Sequence, residues 1–340
     1  MLNFRKMRYD VSPFPRGDDF RKPAPETEIA IGKWIRKPAK CKFALGARWK
    51  GKPIVWVPKG RMPKHLWFVG DIHGDILALE TIIQTVNKET PGASIVFLGD
   101  MFDRHPYGYE VVIRLLELMK EKPGRILWIA GNHDVSLKFE HGMFYSDCTP
   151  SEFADFLNGR QDLQEFGKWL IHFIQGLPRA LFLPGGLVCS HGGVPHTDVQ
   201  DSLSGRRDLY RAKALNDFTW SRIHLRAPFK QVNRTVLGGE LGSENVLAFF
   251  RKMSVILKYP VKYLVCGHQH PDDKGKGFKK VSGIPALILN SSFFSENMFS
   301  PSPWLTPCIA RYRKNKLPEV FPLELKPEEC TRFYGTSNQG

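Results

Sequence analysis

The sequence predicts an α/β protein, and two observations predict it. Five short apolar runs each stop at glycine or serine followed by Asp, Asn or His, and stretches of amphipathic, helical length lie between them. The runs are LWFVGDIHG, SIVFLGDMFDR, RILWIAGNHD, GLVCSHGG and YLVCGHQH, each long enough for one fully buried strand that delivers polar side chains at its carboxyl end. Helices are expected at Ile76 to Lys88, Tyr109 to Lys120, Ser151 to Gln175 and Glu244 to Leu257, the third starting at Thr149-Pro150-Ser151-Glu152. In such an alternating architecture, sites form at the carboxyl ends of the strands.

The flanks read differently. Residues 1–64 mix prolines and lysines with short aromatic and aliphatic stretches, and are expected to form a basic N-terminal extension with one hairpin, Lys42 to Trp49 and Pro53 to Val57, turning at Lys50-Gly51. Residues 65–315 form the expected catalytic domain, with further strands in 278–315. Residues 316–340 form an expected peripheral tail that ends in Gly, Ser, Asn and Gln.

Composition narrows the function classes. With 42% hydrophobic and 24% charged residues in 340, the chain is neither disordered nor collagen-like. No apolar run approaches the roughly 18 to 20 residues of a membrane-spanning helix, and the start, MLNFRKMRYD, lacks a signal-peptide core. Six cysteines without a CxxC pair indicate neither a zinc knuckle nor a disulfide scaffold, so a cytoplasmic, reducing location is expected. The net charge is +15, and residues 1–64 hold 17 basic against 5 acidic side chains, or +12 of it.

The chemistry gathers at the strand ends. His73, His133, His191, His268 and His270 occupy the turns after the apolar runs, together with Asp71, Asp75, Asp100, Asp103, Asn132 and Asp134. One such residue in a turn is ordinarily a cap or an Asx-turn, but five repetitions bring carboxylates and imidazoles to one sheet edge, where divalent ions neutralise them. Imidazole, carboxylate and amide oxygen without thiolate suit Mn²⁺, with Fe and Zn²⁺ as alternatives, better than Ca²⁺. The ligands outnumber the needs of one ion, so two are expected, about 3.5 to 4 Å apart with a carboxylate between them.

Five motifs in order carry a resemblance: Gly70-Asp71-Ile72-His73-Gly74, Gly99-Asp100-Met101-Phe102-Asp103-Arg104, Gly131-Asn132-His133-Asp134, His191-Gly192-Gly193 and Gly267-His268-Gln269-His270. The chain resembles the calcineurin-like metallophosphoesterases. Gly176-Leu177-Pro178-Arg179-Ala180 leading into Leu187-Val188-Cys189-Ser190-His191 makes it most similar to their phosphoprotein phosphatase branch, over about residues 65–315. The resemblance implies an αββα sandwich of two mixed sheets flanked by helices. It implies that Asp71, His73 and His270 hold one metal, that Asn132, His191 and His268 hold the other, and that Asp100 bridges them. It also implies that His133, paired with Asp103, faces the substrate without binding metal.

An imidazole beside a carboxylate stays protonated near neutral pH and can protonate a departing alkoxide, while the resemblance makes a metal-bridging hydroxide the in-line nucleophile. The Arg104 guanidinium suits bidentate contact with phosphoryl oxygens. A second phosphate-binding arginine is expected between the fourth and fifth motifs, with Arg234 the candidate by its place in the order and Arg222 the competitor.

Three departures, His105-Pro106 after Arg104, Asp134 in place of Glu, and Val194-Pro195-His196 after the fourth motif, put serine/threonine specificity in doubt. The leading expectation is a metal-dependent phosphatase acting on phosphoserine and phosphothreonine in proteins. One rival keeps the chemistry for nucleotides, dinucleoside polyphosphates or nucleic-acid ends, with residues 1–64 contacting a polyanion through Trp34, Trp49 and Trp56 among basic side chains; the plain reading of that segment is a solvated arm. A second rival is a noncatalytic metal-binding scaffold.

Overall fold

A computed structural model describes residues 42–43, 47–49, 51–234, 237–270, 276–293, 306–313 and 316–323. The apolar runs form strands of two mixed sheets. In chain order these are β1 (Ile54–Trp56), β2 (His65–Val69), β3 (Ser94–Phe97), β4 (Ile126–Trp128), β5 (Ala180–Leu183), β6 (Leu187–Ser190), β7 (Tyr263–Cys266), β8 (Phe278–Lys280), β9 (Ala286–Leu289), β10 (Cys308–Arg313) and β11 (Glu319–Pro322). The five-stranded sheet runs β11-β10-β2-β3-β4 and the six-stranded sheet β8-β9-β7-β6-β5-β1. Strands β2, β3 and β4 are mutually parallel, as are β6, β7 and β9, so the motif loops of each sheet leave from one end.

Period-two alternation explains the layering, because successive side chains of a strand point to opposite faces. In the six-stranded sheet Leu181, Cys189, Val265 and Leu287 join one core with the five-stranded sheet, whereas Phe182, Val188, Leu264 and Ile288 join a second core with Val246, Phe249 and Met253 of helix Ser243–Leu257. Helices Ile76–Glu89 and Gly108–Glu121 feed Ile82 and Leu115 into the first core. Each such side chain contributes roughly 1.5 to 3 kcal/mol by leaving water. The expected αββα arrangement is therefore present.

The sheets are tied together at the site. A parallel bridge joins Asp71 to Asn290, Ser291 N donates to Asp71 O (3.1 Å), and Gly70 N donates to Ser291 Oγ (2.8 Å). The carboxyl ends of β2 and β9 thus meet, and the loops of both sheets converge.

Three local expectations are corrected. Residues 53–57 do not pair back on 42–49: β1 lies parallel to β5 at the edge of the large sheet, and the hairpin is Lys42–Phe43 with Ala47–Arg48. A strand from within 1–64 is thereby part of the sandwich. The helix expected over 151–175 is two, Glu152–Asn158 and Gln164–Gln175. It breaks because the Asn158 carboxamide leaves it to pair with the backbone N and O of Phe144 (both 2.8 Å), and Gly159 follows. In the tail, β11 pairs antiparallel with β10, and Arg311 bonds Glu319 (3.0 Å) while its guanidinium lies over the Phe321 ring. Trp34 and most of residues 1–50 lie outside the described residues. Among the described residues no helix is long and apolar enough to cross a membrane.

Candidate metal centre

The site is assembled by loops that orient one another's carboxylates. After β2, the N–H groups of Ile72 and His73 donate to Asp100 O (3.1 and 2.9 Å), which locks the first motif to the second. The Asp100 side chain accepts from His133 N (2.9 Å), and Asp71 accepts from His268 N (3.0 and 3.1 Å). So close is this packing that a Cβ at Gly131 or Gly267 would lie 2.1 Å from an oxygen of Asp100 or Asp71, which is why glycine precedes the ligand in both motifs. His73, Asp100, Asp103, Arg104 and His268 all have positive φ, between 49° and 69°. Strain of this kind costs of order 1 kcal/mol or more per residue and persists where packing over-determines it.

The buried imidazoles share one device. Nδ1 of His73 meets Phe102 O (3.1 Å), Nδ1 of His191 meets Leu98 O (3.0 Å), and Nε2 of His268 meets Trp220 O (3.1 Å). Donating one ring N–H to a carbonyl fixes the tautomer and leaves the other nitrogen as a lone pair, the arrangement that metal-ligating histidines use. The ligand atoms fall into groups within 4.8 Å of one another, Asp71 with His73 and His270, and Asp100 with His191 and His268. His270 Nε2 lies 3.4 Å from Asp71 Oδ2 and 3.1 Å from an Arg104 nitrogen. Asn132 Oδ1 lies 2.8 Å from His191 Nε2. His133 stands within the same 4.8 Å of His73 and Asp100.

Without a cation the cluster is electrostatically uncomfortable. Burial, with the Asp100 charge adding to it and His191 opposing, pushes the Asp71 carboxyl up to about 7. Burial holds His73 and His268 well below the usual imidazole range, helped by Arg104 at the first and His191 and Arg222 at the second. Burial opposes, but the charges of Asp100 and Asp71 push His191 up to about 9. His73 Nε2 is buried with no hydrogen-bond partner, and His191 Nε2 faces two acceptors, Asn132 Oδ1 and Asp100 Oδ2 (3.2 Å). Acceptor against acceptor is relieved by a proton or a cation, so the residues present fit divalent ions.

Beside them, His133 Nδ1 meets Asp103 Oδ2 at 2.7 Å, and Asp103 Oδ1 accepts from Phe153 N (3.0 Å). Burial works against the His133 charge, but Asp100 and the hydrogen bond to Asp103 outweigh it and hold the imidazole above its ordinary value. The two candidate arginines separate. Arg234 is gripped by Asp198 (3.0 and 2.6 Å) and by Asp217 (3.1 Å). Arg222 is exposed, two residues beyond Trp220, and its charge reaches His268.

Several residues that hold the site are not marked as such in the sequence. Asp134 accepts from the backbone N–H of Asp100 (3.0 Å), Met101 (3.1 Å) and Gly131 (2.8 Å) and from Trp128 Nε1 (3.0 Å), so it braces two loops rather than facing a ligand. Asp75 caps helix Ile76–Glu89 at Ala78 N (2.8 Å) and accepts from Phe293 N (2.8 Å), while Phe293 itself is core. Glu152 accepts from Arg104 N (2.8 Å). Cys148 touches Asn132 and Ser136, and burial raises its thiol to about 11.

Comparison with known proteins agrees with this geometry. The chain is 27% identical over 157 residues to the serine/threonine-protein phosphatase PP2A-like PPG1 of Saccharomyces cerevisiae, a match covering 45% of this chain and 40% of that protein. It is 26% identical over 158 residues to a serine/threonine-protein phosphatase of Caenorhabditis elegans, covering 45% and 33%. The matched parts therefore span less than half of these curated relatives. In structure it resembles a Saccharomyces cerevisiae protein serine/threonine phosphatase with similarity to human phosphatase PP5, at TM-score 0.58 and 14% identity over 90% of this chain and 92% of that one. The profile of calcineurin-like phosphoesterases matches residues 64–272, which contain all five motifs, and the chain belongs to that family.

Proposed function

We propose that the protein is a metal-dependent phosphatase that hydrolyses phosphomonoesters, with phosphoserine and phosphothreonine of proteins as its substrates. The observation that carries this is the set of three buried imidazoles, each fixed by a backbone carbonyl and aimed with Asp71 and Asp100 at one space. Asp71, His73 and His270 would hold one divalent ion, Asn132, His191 and His268 a second, with Asp100 shared, and Mn²⁺ suits this oxygen and nitrogen set. Such ions supply Lewis-acid neutralisation of phosphoryl oxygens and lower the pKa of water.

The chain's own residues do the rest. Arg104 orients the phosphoryl group through its fixed fork of N–H donors. Asp103 holds His133 by Nδ1, so that the proton on Nε2 is the one given to the departing alkoxide, a contribution of about 10² to 10⁴-fold. Arg222 fits the second phosphate contact better than Arg234, whose charge is already matched by two carboxylates. Protein substrates are favoured by the names of the curated relatives. The three sequence departures weigh less against them than they first do, because His105, Asp134 and His196 are all buried. Four described cysteines are free and buried, which fits a reducing, cytoplasmic setting.

The test is phosphate release by the purified protein with Mn²⁺, Fe²⁺ or Zn²⁺, from phosphoserine, phosphothreonine and phosphotyrosine peptides beside diadenosine tetraphosphate and 5′- or 3′-phosphorylated oligonucleotides. Preference for the first two peptides is expected. Preference for nucleotides or oligonucleotides would overturn the substrate and direct attention to residues 1–64 as a polyanion contact. Bound metal without turnover on any of them would leave a scaffold.

A further inference from the structure

We propose that Cys148 is a positioning residue for the candidate metal centre: its thiol orients the carboxamide of Asn132 so that Oδ1, and not Nδ2, is presented to the ion. The inference rests on the reading of Asn132 as a ligand. Asn132 and Ser136 are four residues apart on the short helix Asn132–Ser136, hence on one face of it. The hairpin of strands Leu137–Glu140 and Met143–Ser146 then returns the chain, and the turn after it brings Cys148 against that face. Asn132 Nδ2 donates to Cys148 Sγ (3.2 Å) and the thiol donates to Ser136 Oγ (3.2 Å). All three side chains are buried, so water does not compete.

The directionality matters because the two ends of a carboxamide are nearly equal in size and only their partners decide which faces where. A thiol has one hydrogen. Once it is given to Ser136, sulfur offers Asn132 only lone pairs, and it therefore selects the N–H end. Oδ1 is left on the other side, 2.8 Å from His191 Nε2. With the amide turned over, two N–H dipoles would point their positive ends at the cation. Cys189 and Cys266 are equally buried but sit within β6 and β7 as core, which separates their role from that of Cys148.

The experiment titrates metal-stripped full-length protein with Mn²⁺ by calorimetry, comparing wild type, Cys148→Ser and Cys148→Val. Serine keeps both a donor and an acceptor, whereas valine fills the space and offers neither. Cys148→Val is expected to weaken one of two Mn²⁺ sites by roughly 10- to 100-fold, the usual cost of losing a group that orients a ligand. The other site, and both sites of Cys148→Ser, should stay within about threefold of wild type, less than one ordinary hydrogen bond. A merely structural role would lower the melting temperature of the metal-free protein and leave the two affinities unchanged or reduced together; that result, or equal losses in Ser and Val, overturns the proposal. Should Cys148→Val not fold, Ser136→Ala removes the acceptor of the thiol proton, and unchanged Mn²⁺ binding there overturns it equally. No substrate enters the measurement. A selective loss in Cys148→Val together with an enzyme inactive on all phosphoesters would support this inference and overturn the proposed function, whereas a wild type with fewer than two sites overturns the ligand assignment and this inference with it.

Discussion

Asp198, Asp217, Arg234 and His196 form a second charged cluster beside the fourth motif, and the contrast with the cluster around Asp100 is instructive. In the second, two carboxylates grip one guanidinium, Asp217 also accepts from His196 N (2.9 Å), and the hydrogen bond from Arg234 holds Asp198 below the usual carboxylate range. Counter-charge is supplied by side chains, and the result ties helix Thr197–Asp201, helix Ala212–Trp220 and the loop at Arg234 together. In the first, counter-charge falls short. Against burial, the charges of Asp100 and Asp71 push His191 up to about 9, yet burial still drives Asp71 up to about 7, His73 Nε2 is buried with no hydrogen-bond partner, and five residues carry left-handed backbone. Stability is sacrificed at one cluster and secured at the other, the pattern expected when only one of them exists to bind something.

The largest effect that could break this contrast is at Asp100. Asp100→Asn keeps the volume but removes the shared charge, so metal content and phosphatase activity should fall together, activity by about 10³-fold or more. A fully metallated, active variant, measured by elemental analysis and phosphate release, would sink the shared-ligand assignment. His133→Asn is expected next, with both metals retained and turnover down by about 10² to 10⁴-fold on alkyl phosphoesters. On p-nitrophenyl phosphate, whose leaving group needs little protonation, the deficit should shrink, and an equal deficit on both substrates would contradict the acid role.

The two arginines give a smaller and more direct comparison. Arg222→Ala should lower kcat/KM by about 10- to 100-fold, the worth of a charge-assisted contact, with little change in melting temperature. Arg234→Ala should do the reverse, leaving kcat/KM within about threefold but costing about 3 kcal/mol or more of stability, because Asp217 is left buried without its guanidinium counter-charge. Exchanged outcomes would restore Arg234 as the phosphate contact.

The sequence made the five motifs legible because each pairs an apolar run with the polar residue it delivers, and both lie within ten residues of chain. What it hid acts over longer separations. Asp134 matters through the N–H groups of Asp100 and Met101, and its four-letter motif says nothing of that. Arg234 stands at the expected place in the order, yet the order does not contain Asp198 and Asp217. The strand at Ile54 pairs with β5 at Ala180 and not with its nearest neighbour in sequence, and β11 has no fully buried residue to mark it, its Phe321 lying half-buried against Trp67 and Arg311. Local patterns reveal which side chains a strand end exposes; they do not reveal which main-chain donors those side chains will meet.

Glu110 supplies the third case, a carboxylate without sufficient counter-charge and without fellow ligands. It lies in the first turn of helix Gly108–Glu121, its Oε2 is buried with no hydrogen-bond partner, and burial pushes its carboxyl up to about 7 against its own backbone N–H and the charge of Arg160. Because the ordinary value is 4.5, the folded state keeps a proton that the unfolded state releases between pH 4.5 and about 7. The stabilisation is full below pH 4.5 and is lost as pH rises through about 7, so wild type should lose about 1 to 3 kcal/mol over that window from this group alone. Glu110→Gln has nothing to ionise, and in chelator its stability in urea should equal that of wild type near pH 4.5 and exceed it by that amount at pH 8. Parallel stability profiles would show that Glu110 finds its counter-charge after all.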